Sequence, residues 1–345
     1  MAVGDQAKTG VQSLIAYFPE TTYGTFAATT TSARMFQPMS IGIKVDFETL
    51  KFDTLSKLRG YTHQAQMNKN VGGTVETFLH PEESLDLFIN AMGGTYTFTS
   101  ITAAGDHSIS AGNFASTDTL ASLSVFVRKG DNHGFRYAGG VINSLKLSAS
   151  IGEPVKMSCD FVFKDASMGT GDALAGVMSL STIAPLVYAD GTYRYDATEG
   201  SLTSSVAEAI QSFELEINNN LVVDEKNRQL GSRVISGQPP ALRREINFKI
   251  SQRFDTTTTF NRMVENTAGA AALFFTGSTI SAEYTRSMNI ILPNIRHKNT
   301  DPVVEGADGV LQSETEFDVI ASGNAGTSTS REIGITVRNA VLSKR

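Results

Sequence analysis

Two stretches decide the fold: Ser40-Ile-Gly-Ile-Lys-Val-Asp-Phe47 and Ser212-Phe-Glu-Leu-Glu-Ile-Asn218. In the first, Ile41, Ile43, Val45 and Phe47 alternate with polar Lys44 and Asp46. In the second, Phe213, Leu215 and Ile217 alternate with Glu214, Glu216 and Asn218. A period of two sends successive side chains to opposite faces, so each stretch reads as a strand with one face buried and one wet. The same alternation, less regular in places, runs through 71–79, 145–149, 155–163, 242–250 and 312–320. Thr, Ser, Gly and Val are abundant, and Gly, Asn and Asp punctuate the runs, which is how an all-β sandwich or barrel is written.

Helical periodicity occurs in two comparable places. Residues 81–92 put Leu85, Phe88, Ile89 and Met92 at i, i+3, i+4 and i+7, with Pro81 at the start, two acids in the first turn and Gly93 as the stop. Residues 255–269 place Phe260, Met263 and Val264 on one stripe, with Asp255 as the expected N-cap. The two helices and the two opening strands keep step. Ser212 follows Ser40 by 172 residues, and Phe260, Met263 and Val264 follow Leu85, Phe88 and Ile89 by 175. Between strand and helix each half carries an irregular segment with an Arg/Gly cluster, Leu58-Arg59-Gly60 and Leu230-Gly231-Ser232-Arg233. After the helix each half ends in a hairpin-like pair, 143–164 and 286–321. The expected organisation is an N-terminal extended segment at 1–35, then two tandem β-sandwich domains at 36–182 and 183–345, each flanked by one short helix. The boundary is placed in the Gly/Ala/Ser-rich stretch 165–182, and 21–31 and 323–330 read as polar extended segments.

Length supports two domains: the chain has 345 residues, enough to bury ordinary cores without staples. The single Cys159 excludes a disulfide framework and a thiolate metal cluster, and its apolar register with Met157 and Phe161 makes it a small core residue. The N-terminus lacks the pattern of a signal peptide, and no apolar run approaches the ~20 residues a spanning helix needs. With no tryptophan for aromatic girdles, an outer-membrane barrel is disfavoured. The formal charge of −6, with scattered basic residues and Arg243-Arg244 as the densest pair of the second half, argues against a protein that grips nucleic acid.

Catalytic patterns are missing. The histidines His63, His80, His107, His133 and His297 never pair at i, i+4, and Asp106-His107 and Asp131-Asn132-His133 read as surface turns. Gly4–Gly10 has its Lys and Thr misplaced for a phosphate loop, and Gly139-Gly140 reads as a turn. No GxSxG elbow occurs. The acid pairs Glu214/Glu216 and Glu314/Glu316/Asp318 lie at i, i+2, so each set points one way from a strand. They build a negative wall, or simply a solvated face, more naturally than the opposed carboxylates of a glycosidase. No catalytic, cofactor or metal site is expected.

Several segments, in order, resemble the tail tube proteins of siphophages. Glu20-Thr-Thr-Tyr-Gly-Thr-Phe26 is similar to the E-x-x-[YF]-G-T opening of that group, and Gln211-Ser-Phe-Glu-Leu-Glu-Ile-Asn-Asn-Asn-Leu221 resembles its strand-plus-asparagine segment. Asn227-Arg-Gln-Leu-Gly-Ser-Arg233, the run opening Asn143-Ser-Leu-Lys-Leu and Ile291-Leu-Pro-Asn-Ile295 extend the likeness over most of 15–340. The resemblance implies a β-sandwich with one flanking helix, also used by type VI secretion tubes, that forms hexameric rings stacked into a hollow conduit for double-stranded DNA. It implies a virion location after assembly in the host cytoplasm, with the tape measure protein and the tail terminator as assembly partners. Two such domains in one chain point to a trimer with pseudo-sixfold symmetry. A conduit must repel phosphate, so Glu76, Glu214, Glu216 and Glu245 are the candidate lumen residues, with Lys249 an exception that needs a neighbouring acid. The long segments 49–70 and 222–238, with Lys57, Arg59, Arg228 and Arg233, are the candidate inter-ring arms. A type VI-like tube or tail adaptor, or a carbohydrate-binding sandwich, are the rival readings.

Overall fold

The computed structural model describes residues 13–26, 34–53, 59–112, 120–130, 133–170, 182–255, 257–300, 311–322 and 331–343. It is an all-β protein with minor α. The first half contains β1 (Leu14–Pro19), β2 (Arg34–Phe36), β3 (Pro38–Ile41), β4 (Lys44–Phe52), β5 (His63–Phe78), α1 (Leu85–Met92), β6 (Thr95–Ile101), β7 (Ala104–Gly112), β8 (Leu123–Lys129), β9 (His133–Ser150), β10 (Lys156–Phe163) and β11 (Asp165–Thr170). The second contains β12 (Gly191–Asp196), β13 (Ala207–Glu208), β14 (Ser212–Asn218), β15 (Glu245–Arg253), α2 (Thr258–Val264), β16 (Gly269–Ser281), β17 (Tyr284–Asn299), β18 (Gln312–Val319) and β19 (Arg331–Asn339).

One pairing order occurs twice. In the first half β4, β5, β10, β9, β8 and β1 neighbour one another in that sequence, all antiparallel. In the second half β14, β15, β18, β17, β16 and β12 do the same. The irregularities repeat as well. Phe161 faces Ile142 and Asp160 faces Ser144, so the ladder skips Asn143; Phe317 faces His297 and Glu316 faces Asn299, skipping Lys298. Registers carry the sequence offsets: Ser40 opposes Glu76, and Ser212 opposes Ser251, which lies 175 residues beyond Glu76.

The long strands β9 and β17 each serve two sheets, which is how a corner of a sandwich is turned. β9 pairs with β8 and β11 through its first part and with β10 and β14 through its second. The handover lies at Gly139-Gly140, read from sequence as a turn but in fact inside the strand. Gly139 holds φ +69, and a Cβ on either glycine would meet Lys164 or Phe163 at under 3 Å, so the bend needs the missing side chains.

The halves share their sheets. β14 pairs with β9, which makes β4-β5-β10-β9-β14-β15-β18-β17 one antiparallel eight-stranded sheet. On the opposite layer, β19 pairs with both β17 and β7, tying the C-terminal strand to the first-half hairpin β6–β7. Between the layers lies one core that spans both halves and includes Val75, Leu145, Leu147, Phe161, Leu215, Phe248 and Ile290, while Ala16, Phe18, Met35 and Phe126 form a separate cluster around the other side of β1.

Several local expectations are corrected. The expected helix 81–92 is a turn followed by α1 from Leu85, and the N-cap of α2 is Thr257 while Asp255 binds Arg253 instead. Residues 21–26 form a turn, not an extended segment; 323–330 lie outside the described residues. The glycine-rich boundary begins with a strand, β11, because Asp165–Thr170 pairs with β9; 171–181 lie outside the described residues. His107 is not on a surface turn: it is fully buried in β7, its Nδ1 against the Tyr96 hydroxyl at 2.8 Å and its Nε2 against Asn339 Oδ1 at 3.1 Å. Of the segment expected to be irregular, 49–70, the parts Thr49–Phe52 and His63–Asn70 continue β4 and β5 as a hairpin.

Candidate functional site

The eight-stranded sheet has one face on the core and one open to solvent, and the register decides which side chains share the open face. Opposed residues of an antiparallel pair project to the same side. One row runs from Ser40 of β3 through Glu76, Ser158, Lys146, Glu216, Asn247, Asp318 and Arg296, across seven of the eight strands. Adjacent rows carry Lys156, Ser148, Glu214, Lys249 and Glu316, and Thr74, Asp160, Ser144, Asn218 and Glu245. The four glutamates Glu76, Glu214, Glu216 and Glu245 therefore stand on one continuous polar face.

Charges on this face are interleaved. Lys146 pairs with Glu214 at 2.8 Å, Lys249 with Glu316 at 2.5 Å, and Lys298 lies 3.9 Å from Asp318. Glu76 accepts from the Ser40 hydroxyl at 2.9 Å. The hydrogen bond from Lys249 holds the Glu316 carboxyl below the usual range, and the same contact raises Lys249. Lys249 thus has the acidic neighbour its place on this face requires. Acids exceed bases on both halves. Asp46, Glu48, Glu76 and Asp160 stand with Lys44, Lys146 and Lys156 on the first-half strands. On the second-half strands Glu214, Glu216, Glu245, Glu314, Glu316 and Asp318 stand with Lys249, Arg253, Arg296 and Lys298.

The candidate arms separate. Arg59 is exposed beyond β4, while Lys57 lies outside the described residues. The segment 222–238 folds back onto the hairpin of its own chain. Arg228 donates to Asn70 Oδ1 and to the Arg233 carbonyl, whose oxygen also accepts from the Lys69 amide at 2.8 Å. Arg228 and Arg233 are brought together against β5, away from Arg59.

Three groups that sequence reasoning left without a role hold the architecture. Glu20 accepts from the Gly24 and Gly139 amides and from the hydroxyls of Ser122 and Ser124 at 2.6–2.9 Å, which locks the first turn onto β8 and β9. Asn219, fully buried, donates to the carbonyls of Ala91 and Ile142 at 2.8 and 3.0 Å. Arg244, whose side chain is 3% exposed, donates to the Met92 carbonyl and to Asn219 Oδ1 and pairs with Glu332 at 3.3 Å. Asn219 and Arg244 come from the second half and satisfy carbonyls at the C-terminus of α1, which every helix leaves without intrahelical donors. The signal for Glu20 and Asn219 was present, since both lie in the quoted motifs; nothing in a lone Arg-Arg pair marks Arg244 as buried.

No described helix is long and apolar enough to cross a membrane, and among the described residues no cluster of three or more His, Cys, Asp or Glu is arranged to hold a metal. Cys159 is buried and its thiol is pushed up to about 12, chiefly by that burial. A cleft of about 360 Å³ beside β12 is lined by Tyr188, Tyr193, Ile210, Phe213 and Phe275, with Glu208 its one carboxylate.

The family model described as phage tail tube protein matches residues 10–321. The chain belongs to the phage tail tube family. As a tail tube chain it is a structural component of the virion tail, and its matched region spans both halves and every strand of the polar sheet face. No curated protein matches the chain.

Proposed function

We propose that three copies of this chain close into a ring, that rings stack into the tube of a siphophage tail, and that double-stranded DNA passes through the tube during ejection. The observation that carries the reading is the eight-stranded sheet built from two halves of identical pairing order, with one end strand, β4, paired along a single edge among the described residues. Each half is a tail-tube unit of a tandem duplication, 36–182 and 183–345, so three chains supply six units. Three such sheets joined edge to edge make about 24 strands. At about 4.8 Å spacing and about 40° tilt these close into a barrel roughly 50 Å across at the backbone, wide enough for a duplex once side chains are subtracted. Two copies, about 16 strands, would leave little more than a porin-sized channel.

The polar face lines the lumen in this reading. Each basic group held against phosphate would release counterions and retain the DNA. Pairing Lys146 and Lys249 with acids removes that grip. The β4–β5 hairpin around Arg59 is the ring-to-ring arm, and the tape measure protein and tail terminator set the length of the stack in the host cytoplasm. Negative-stain microscopy of the purified protein tests assembly: long, uniform hollow filaments are expected, and a protein that stays monomeric at high concentration contradicts the reading. Replacing Glu76 and Glu245 together with lysine should leave tubes intact and slow genome ejection, more at low salt than at high. Unchanged ejection would place these glutamates away from the lumen.

A further inference from the structure

The two helices occupy matched places in the pairing order but differ in what covers them. In α1, Leu85, Asp86, Leu87, Phe88, Asn90, Ala91 and Met92 are buried. In α2 no residue is buried, and Phe260 and Val264 are 37% and 66% exposed. What closes α1 at its C-terminus is the second half of the same chain: β14 lies along β9, and Asn219 and Arg244 reach the Ala91 and Met92 carbonyls. At the end of α2 the Asn266 carbonyl accepts instead from Arg296 of its own half, and among the described residues no strand of another half lies beside β17 as β14 lies beside β9.

The strand that would do so exists at the other end of the sheet. β4 matches β14 at the offset of 172 residues, so Val45 stands where Ile217 stands and Ile43 where Leu215 stands. Ile217, Leu215 and Ile43 are all within 2% of fully buried, whereas Val45 and Phe47, on the same core-side register, are each 38% exposed. A core-side face is thus left open on β4, and a helix of the kind that covers its counterpart is left open on α2. Within one chain they lie at opposite ends of the sheet and cannot cover each other.

We propose that a second copy of the chain covers α2, its β4 strand seating against the second half as β14 seats against the first, with Val45 and Phe47 packed on Phe260 and Val264. The junction between halves is then the template for the junction between subunits. The contact is heterologous, so its repetition gives a ring where the rotation closes and not an isologous dimer. Burying apolar groups of this size removes them from water and makes the contact a strong determinant of assembly.

This inference rests on the tail tube reading, and its test separates the two. Val264→Cys should react rapidly with a maleimide in the unassembled chain and be shielded at least tenfold in filaments, with buried Cys159 silent in both. Phe47→Cys combined with Val264→Cys should be joined between copies by a short bifunctional maleimide, giving covalent ladders only from assembled protein. Val264→Asp, at an exposed position that the fold tolerates, should keep the native circular dichroism spectrum and raise the critical assembly concentration at least tenfold. If the wild-type protein forms no filaments, the tail tube reading fails. If filaments form while Val264→Cys stays fully reactive and no ladder appears, assembly stands and this contact is wrong.

Discussion

The first half of the chain is closed and the second is not, although their strands pair in one order. At matched ladder positions Ile142, Met157 and Cys159 of the first half give way to His297, Ser313 and Thr315 of the second, all buried. Thr315 and Ser313 satisfy their hydroxyls with Thr300, through bonds of 2.9 Å between Thr300 and Thr315 and 2.9 Å from Ser313 to the Thr300 carbonyl. His297 lacks such a partner for Nδ1 among the described residues. The difference teaches that identical topology does not fix how a core is finished. The end of α1 is completed within the chain by Asn219 and Arg244 of the second half, whereas α2 stays exposed and the second-half core beside it is finished with buried polar groups.

The largest expected effect breaks the completed half. Arg244→Ala removes the donor to the Met92 carbonyl and to buried Asn219 Oδ1, while Glu332, 31% exposed, can hydrate. Each buried acceptor left without a donor costs about 1–3 kcal/mol. Urea unfolding should show that loss, and a change under 1 kcal/mol would mean that α1 does not depend on the second half.

The next effect sharpens the contrast between cores. Burial, and secondarily Arg262, lowers the His297 pKa from 6.5 to about 4. Its folded pKa lies below the unfolded one, so the unfolded chain binds the extra proton between these values. Stability attributable to this site is full above about pH 6.5 and falls as the pH drops toward 4, by at most roughly 3 kcal/mol. His297→Ile, which installs the first-half residue, should flatten that part of the pH–stability profile. A wild-type profile already flat between pH 7 and 4.5 would show that His297 is not held neutral.

The smallest effect concerns the polar face. Lys249→Ala breaks an exposed pair with Glu316 and should change stability by less than about 1 kcal/mol, because exposed pairs are weak. A larger loss in assembled tubes than in the free chain would show that the face is drier in the ring.

The strands were legible because one face of each is buried. The alternation in 212–218 and 245–250 names Phe213, Leu215, Ile217, Ile246, Phe248 and Ile250, all of which are in the core. The helix spacing placed α1 and α2 to within a turn. Pairing between halves was not legible, because a strand edge is backbone, and no side chain records that β14 lies beside β9. The hairpin in 49–70 was hidden for another reason: Lys51, Gln64 and Gln66 are exposed on one side and Leu50, Phe52 and Met67 on the other, so no buried face marks it. Glu214 and Glu216 share one face because residues at i, i+2 must, but that Glu76, Glu245 and the interleaved Lys146 join them became visible only with the register.

The most direct measurement is the rotational symmetry of the assembled particle, read by electron cryomicroscopy along its axis. A hollow ring of three chains is expected, looking sixfold at low resolution and resolving to threefold once α1 and α2 are distinguished, with the face bearing Glu76, Glu214, Glu216 and Glu245 around the channel. A ring of six complete chains, or a channel lined by the opposite layer of β12, β16, β19 and β7, would contradict it.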